Sequence, residues 1–187
     1  LLIVKGTAYT CTFPTGTDNL DGNNYYIQEN ATLDNLDDNL TGAIWISGNL
    51  VCNGTISYST TGQSYVVMLG TTKTITAGGS ANMSAIRLQI GLTGYTASTT
   101  LASNIAVHEC LVYTSGTLNV STYILQCKYF GNNTTTSTFN LNSGTLEVGG
   151  GTAFDKSGAH LTSKTNPYFE SGTVSFGTGT VYYNAGE

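Results

Sequence analysis

Acidic side chains gather twice near the start of the chain: Asp18-Asn19-Leu20-Asp21-Gly22-Asn23 returns 16 residues later as Asp34-Asn35-Leu36-Asp37-Asp38-Asn39. Closely spaced Asp and Asn on a turn supply the carboxylate and carbonyl oxygens that Ca²⁺ takes, so Asp34, Asp37 and Asp38 are the candidate metal ligands and Ca²⁺ is the one cofactor the sequence invites. The spacing lacks the closing Glu of the twelve-residue calcium loop. A solvated turn, with Asx side chains bonding their own backbone, is the commoner reading.

Other groups that could carry chemistry stand apart. His108-Glu109 is the one adjacent acid–base pair, but neighbours on a strand point to opposite faces and cannot cooperate directly. His160 stands alone, and both histidines read as surface or corner residues. Neither a Ser-His-Asp arrangement nor a Gly-x-Ser-x-Gly elbow is present. Arg87 is the only arginine, and Lys73, Lys128, Lys156 and Lys164 are scattered with no acidic partner at matching phase, which disfavours the polysaccharide lyases and hydrolases that line a β-helix groove with such groups. No catalytic residue is assigned, and the chain is expected not to be an enzyme.

Weaker signals concern binding and modification. Thr72-Lys73-Thr74-Ile75-Thr76 and Thr178-Gly179-Thr180 resemble the Thr-x-Thr ladders of ice-binding faces, although Thr is also a good strand residue. Twelve Tyr, including Tyr25-Tyr26 and Tyr182-Tyr183, could stack on sugars or cover corners and edges. Asn-x-Ser/Thr sequons stand at Asn30, Asn39, Asn53, Asn82, Asn119, Asn132 and Asn133; Asn119 and the Asn132-Asn133 corner are expected to face solvent and to accept glycans if the source glycosylates.

Composition narrows the classes. Charged residues are 9% of the chain, against roughly 25% in ordinary soluble domains, so hydroxyls and amides must supply solubility. A surface of that kind suits proteins outside the cytoplasm. Six Lys plus Arg cannot form a phosphate-tracking stripe, so nucleic acid is not an expected partner. No run of eighteen apolar residues predicts a membrane-spanning helix, and Leu1-Leu2-Ile3-Val4 is too short for a signal peptide and reads as a strand. Cys11, Cys52, Cys110 and Cys127 contain no Cys-x-x-Cys pair, which leaves disulfides or buried thiols open. Cys52 sits at an inward apolar position of a repeat and reads as a small buried hydrophobe.

That repeat is a hexapeptide at 28-residue spacing: Ser115-Gly116-Thr117-Leu118-Asn119-Val120, Ser143-Gly144-Thr145-Leu146-Glu147-Val148 and Ser171-Gly172-Thr173-Val174-Ser175-Phe176. Each copy alternates apolar and polar after a Ser-Gly turn, the pattern of a half-buried strand. A weaker copy, Ser47-Gly48-Asn49-Leu50-Val51-Cys52, lies 68 residues before Ser115, a gap that three coils of about 23 residues would fill. The expected fold is all-β: a right-handed parallel β-helix, or β-solenoid, over residues 43–187, with an irregular N-terminal cap at 1–42. Leu118, Val120, Leu146, Val148, Val174 and Phe176 are expected to form one inward file with coils about 4.8 Å apart. The alternative is a β-sandwich filament subunit that donates Leu1–Val4 to a neighbour. The stack is also expected to be a segment of a longer repeat protein or to continue through another subunit.

Ser115 to Leu125 and Gly172 to Thr180 resemble the β-helical repeats of large secreted surface proteins, filamentous-haemagglutinin-like adhesins and phage fibres, over about residues 105–187. The resemblance implies a repeat fold and a surface or virion location, and it carries no active-site residues. A rigid structural module is the expected function, self-associating or tethered in a larger assembly; a carbohydrate-binding module on the same fold is the alternative, with a glycan as its partner.

Overall fold

Val, Ile, Thr and Tyr dominate the short segments between Gly- and Asn-rich turns, and these β-branched and aromatic residues fit a pleated, half-buried surface. The computed structural model describes residues 2–4, 9–13, 20–35, 43–57, 64–148, 168–175 and 178–183. Every strand ladder among them is parallel. The chain is an all-β solenoid with three faces.

The first face stacks β1 (Leu2–Val4), β4 (Tyr25–Ile27), β7 (Leu50–Cys52), β10 (Gly70–Ala77), β12 (Ala97–Leu101), β14 (Gly116–Asn119) and the ends of β15 (Ile124–Asn140) and β17 (Tyr168–Ser175). The second begins with β2 (Tyr9–Phe13), β5 (Ala31–Asn35) and β8 (Thr55–Ser57). It passes through a bridge between Thr55 and Asn82 to the starts of β11 (Met83–Ile90), β13 (Ile105–Val112) and β15, then to β16 (Thr145–Val148) and β18 (Thr180–Tyr183). The third holds β3 (Leu20–Gly22), β6 (Ile44–Ile46), β9 (Ser64–Met68), the ends of β11 and β13, the middle of β15 and the start of β17. A sandwich requires antiparallel neighbours, and β1 pairs with β4 of its own chain, Leu2 beside Tyr25. The donor-strand alternative is therefore excluded.

Side chains at alternate positions point inward and stack coil on coil. On the third face Ile44, Val66, Leu88, Cys110 and Phe130 follow one another, all at most 1% exposed. Burying each such side chain contributes about 1.5–3 kcal/mol relative to exposure, so the files supply most of the driving force.

The 28-residue spacing is not the coil length. On the first face Leu118 lies beside Phe139 and Phe139 beside Val174, whereas Leu146 lies on the second face between Leu125 and Val181. The expected single file is thus two files. Leu118, Val120, Leu146 and Val148 are buried as expected; Phe176 lies outside the described residues. Coils run 20 to 26 residues along Tyr25, Leu50, Ile75 and Leu101 and along Gly22, Ile46, Met68, Ile90, Val112 and Asn132. The step from Phe139 to Val174 takes 35 residues because residues 149–167 fall within that coil.

The reason the motif misled is local. Gly116 opens the corner into the first face, and a Cβ there would overlap the Ile90 carbonyl oxygen of the preceding coil. Gly144 opens a different corner, where a Cβ would meet the Tyr123 carbonyl oxygen and the Val120 side chain. Two corners impose one demand, a residue without a side chain followed by an alternating strand, so Ser-Gly-Thr marks corners without saying which. Strands β3, β4 and β5 pair in register with β6, β7 and β8.

Cys52, Cys110 and Cys127 are buried free thiols facing the core. Burial pushes the Cys52 thiol up to about 12 and raises Cys110 and Cys127 as well. The thiolate is the reactive form, so these three should resist an aromatic disulfide reagent at pH 8 until denaturant is added. Mass mapping that finds any of the three labelled in the folded protein would contradict their placement.

Candidate functional site

Two outer regions combine polar chemistry with geometry. The first is a row on the third face, where Tyr65, Arg87, Glu109 and Tyr129 sit one above another on successive coils. Arg87 Nε lies 3.1 Å from Glu109 Oε2, Arg87 Nη1 donates to the Tyr65 hydroxyl, and the guanidinium stands 5.1 Å from the Tyr65 ring centroid. The row is covered: the Arg87 and Glu109 side chains are 9% and 6% exposed. Beside it Ala43, Val67 and Leu69 form a second apolar cluster with Trp45, Tyr65 and Leu92, and Trp45 meets Tyr95 edge-on at 5.8 Å. Burial raises the Glu109 carboxyl above the usual carboxylate range, with Arg87 pulling the other way. So enclosed a pair offers little to a substrate and acts as a staple between coils. His108, expected at the surface, is buried, its ring tilted against Tyr129 at 5.5 Å.

The second region is the corner between the first and second faces. Two depressions of about 370 and 230 Å³ meet there at Gly78. Tyr26, Gln28, Glu29 and Asn53 line one, and Asn104, Gln126 and Glu147 line the other. The lining residues come from successive coils, at positions 26–29, 53, 78, 104, 126 and 147, so the groove runs along the solenoid. Its floor is low because Gly78, Gly79, Ala81 and Ala106 present little or no side chain. Asn53 Nδ2 donates to the Tyr26 hydroxyl at 3.3 Å, Ser80 Oγ donates to Glu29 Oε1 at 3.0 Å, and Gln126 Nε2 donates to Glu147 Oε2. Among the described residues no Lys or Arg lines either depression. Tyr26, 37% exposed, and Tyr95 are the large hydrophobic residues left open among the described residues.

Of the three candidate metal ligands, Asp34 is among the described residues. Asp34, on β5, is buried and accepts a hydrogen bond from Ser57 Oγ at 2.8 Å, while Asp37 and Asp38 lie outside the described residues. Among the described residues no group of three His, Cys, Asp or Glu side chains comes together. His160 and Asn39 are likewise outside the described residues, as is the side chain of Asn133. Of the sequons, Asn30 and Asn82 are exposed, Asn53 is half-buried, and Asn119 is half-buried and accepts from Asn140 Nδ2 at 2.8 Å. Asn132 corrects the expectation of a solvent-facing corner: it stacks on Val112 inside the core with no exposed surface, so a glycan cannot sit there in the folded chain. The outward row Thr74, Thr100, Asn119, Asn140 and Ser175 mixes residue types, and Thr180 belongs to the second face, so the two Thr-rich stretches do not share one flat ladder.

Sequence reasoning missed the Asn ladder beneath the first face. Asn49 N donates to Asn24 Oδ1 at 2.8 Å, and Thr74 N donates to Asn49 Oδ1 at 3.0 Å. The signal was present as Asn24-Tyr25-Tyr26-Ile27 and Asn49-Leu50-Val51-Cys52, one Asn before the same alternation at 25-residue spacing. No protein-family model, curated protein or solved structure matches the chain.

Proposed function

We propose that the chain is a structural module of an extracellular or virion surface: a rigid element of an adhesin, filament or fibre that acts by holding shape, self-associated or tethered within a larger assembly. The observation that supports this reading best is the continuity of parallel ladders and inward files on all three faces, since backbone pairing along the axis resists bending and leaves few places for a protease to enter. A surface that is poor in charge and rich in hydroxyls and amides fits the location. The resemblance of Ser115 to Leu125 and Gly172 to Thr180 to repeats of secreted surface proteins and phage fibres supports the same assignment. The three thiols are sealed in the core, so they place no demand on the redox state of the compartment.

Electron microscopy of the native source, with antibody against this chain, tests the proposal. Label along rods, fibres or a cell or virion surface is expected; label confined to a soluble cytoplasmic pool would sink it. Analytical ultracentrifugation separates the self-associating version from the tethered one. A compact monomer at high concentration leaves tethering alone.

A further inference from the structure

We infer that the corner groove binds a neutral, linear oligosaccharide lying along the solenoid axis. Three observations converge on that ligand class. The groove crosses coil after coil, and coils rise by about 4.8 Å, a distance similar to the advance of an extended glycan per sugar ring. Its walls carry planar amides and carboxylates, Gln28, Asn53, Asn104 and Gln126 with Glu29 and Glu147, which accept and donate to hydroxyls in the plane of a ring. At one end Tyr26 keeps 37% of its surface open while, among the described residues, nearly all other large apolar groups are covered, and an exposed phenol ring is a stacking platform for the C–H face of a sugar.

Charge selects within the class. With two carboxylates on the walls and no cation lining it among the described residues, an anionic polymer such as a polyuronate or a sulfated glycan meets repulsion there. Phosphate-bearing ligands are disfavoured on the same ground. The glycan site does not depend on the scaffold reading, because a rigid rod without a ligand would leave the ladders unchanged.

The test is titration of the whole chain with cellohexaose, xylohexaose, mannohexaose and hexagalacturonate. At least one neutral hexamer should saturate, and Tyr26→Ala should weaken it at least tenfold. Gly79→Leu adds bulk where a Cβ meets nothing within 4 Å, so it should block the groove without moving the melting temperature. Absence of binding by all three neutral hexamers would overturn the inference. So would hexagalacturonate binding as tightly as the best neutral hexamer, or affinity left intact by both Tyr26→Ala and Gly79→Leu.

Discussion

Phe139→Ala should cost about 3–5 kcal/mol, the usual penalty for emptying a fully buried aromatic site. Phe139 has no exposed surface, lies between Leu118 and Val174 in the first-face file, and packs its ring at 4.6 Å and 57° against Phe130 of the third face. It therefore ties two faces and three coils at one point, and its loss leaves a cavity that extended strands on fixed coil spacing cannot close. In a solenoid each coil contacts mainly its neighbours, so the damage should spread from the site instead of scaling uniformly. Hydrogen exchange should rise first at Leu118, Phe139 and their neighbours, and later at Tyr25 and Leu50. Urea unfolding with a loss below 1 kcal/mol would mean that the Phe139 site is not packed as described.

The architecture was legible because it rests on side-chain alternation, which a sequence displays directly. Leu118-Asn119-Val120 and Leu146-Glu147-Val148 announce inward and outward positions without any knowledge of what lies above them. Stacking partners were not legible in the same way. Which residue sits over Leu118 depends on the length of every corner between them, and corners here vary because β13 and β15 bend through face changes without a turn signal while residues 149–167 lengthen one coil. A motif defined by corner chemistry gave a spacing of 28 residues by placing its copies on different corners. The groove was invisible for a related reason: Tyr26, Asn53, Asn104 and Glu147 are separated in sequence and share only an edge of the stack. His108 and Asn132 show the same limit from the opposite side. Polar residues at bends look like surface residues until the fold places them within the core or under a second layer.

These features bear on how a chain with so little charge stays rigid. Outside the files, cohesion between coils comes from hydrogen bonds that run along the axis, including the Asn24–Asn49–Thr74 chain, the Asn140–Asn119 pair and the Ile124 N–H to Asn104 Oδ1 bond at 2.9 Å. Amides both donate and accept, so each can serve the coil above and the coil below. Charged pairs would add little at an exposed position. The single arginine is used where water is excluded.

That arginine carries the second large effect. Arg87→Met should destabilise the chain at neutral pH by about 3–5 kcal/mol, because it strands Glu109 as a buried carboxylate with no cation. Burial already raises the Glu109 carboxyl, with Arg87 partly opposing, so removing Arg87 should move it further upward. A carboxyl raised in the folded state holds its proton more tightly there than when unfolded, so its contribution is fully present below the ordinary carboxylate range and is lost as pH rises through the folded value. The Arg87→Met deficit should accordingly shrink as pH falls from 7 toward 4. Glu109→Gln leaves the Arg87 guanidinium buried without its anion, so it should also melt below the parent at pH 7, with the gap closing in acid as the parent's carboxyl takes up its proton; adding it to Arg87→Met removes both charges and should recover most of the lost stability at pH 7. Melting curves of the four proteins across that pH range decide the matter. An Arg87→Met deficit that grows on acidification, or a double variant no better than Arg87→Met alone, would mean that the carboxylate is not enclosed and that Arg87 acts through packing on Tyr65 instead.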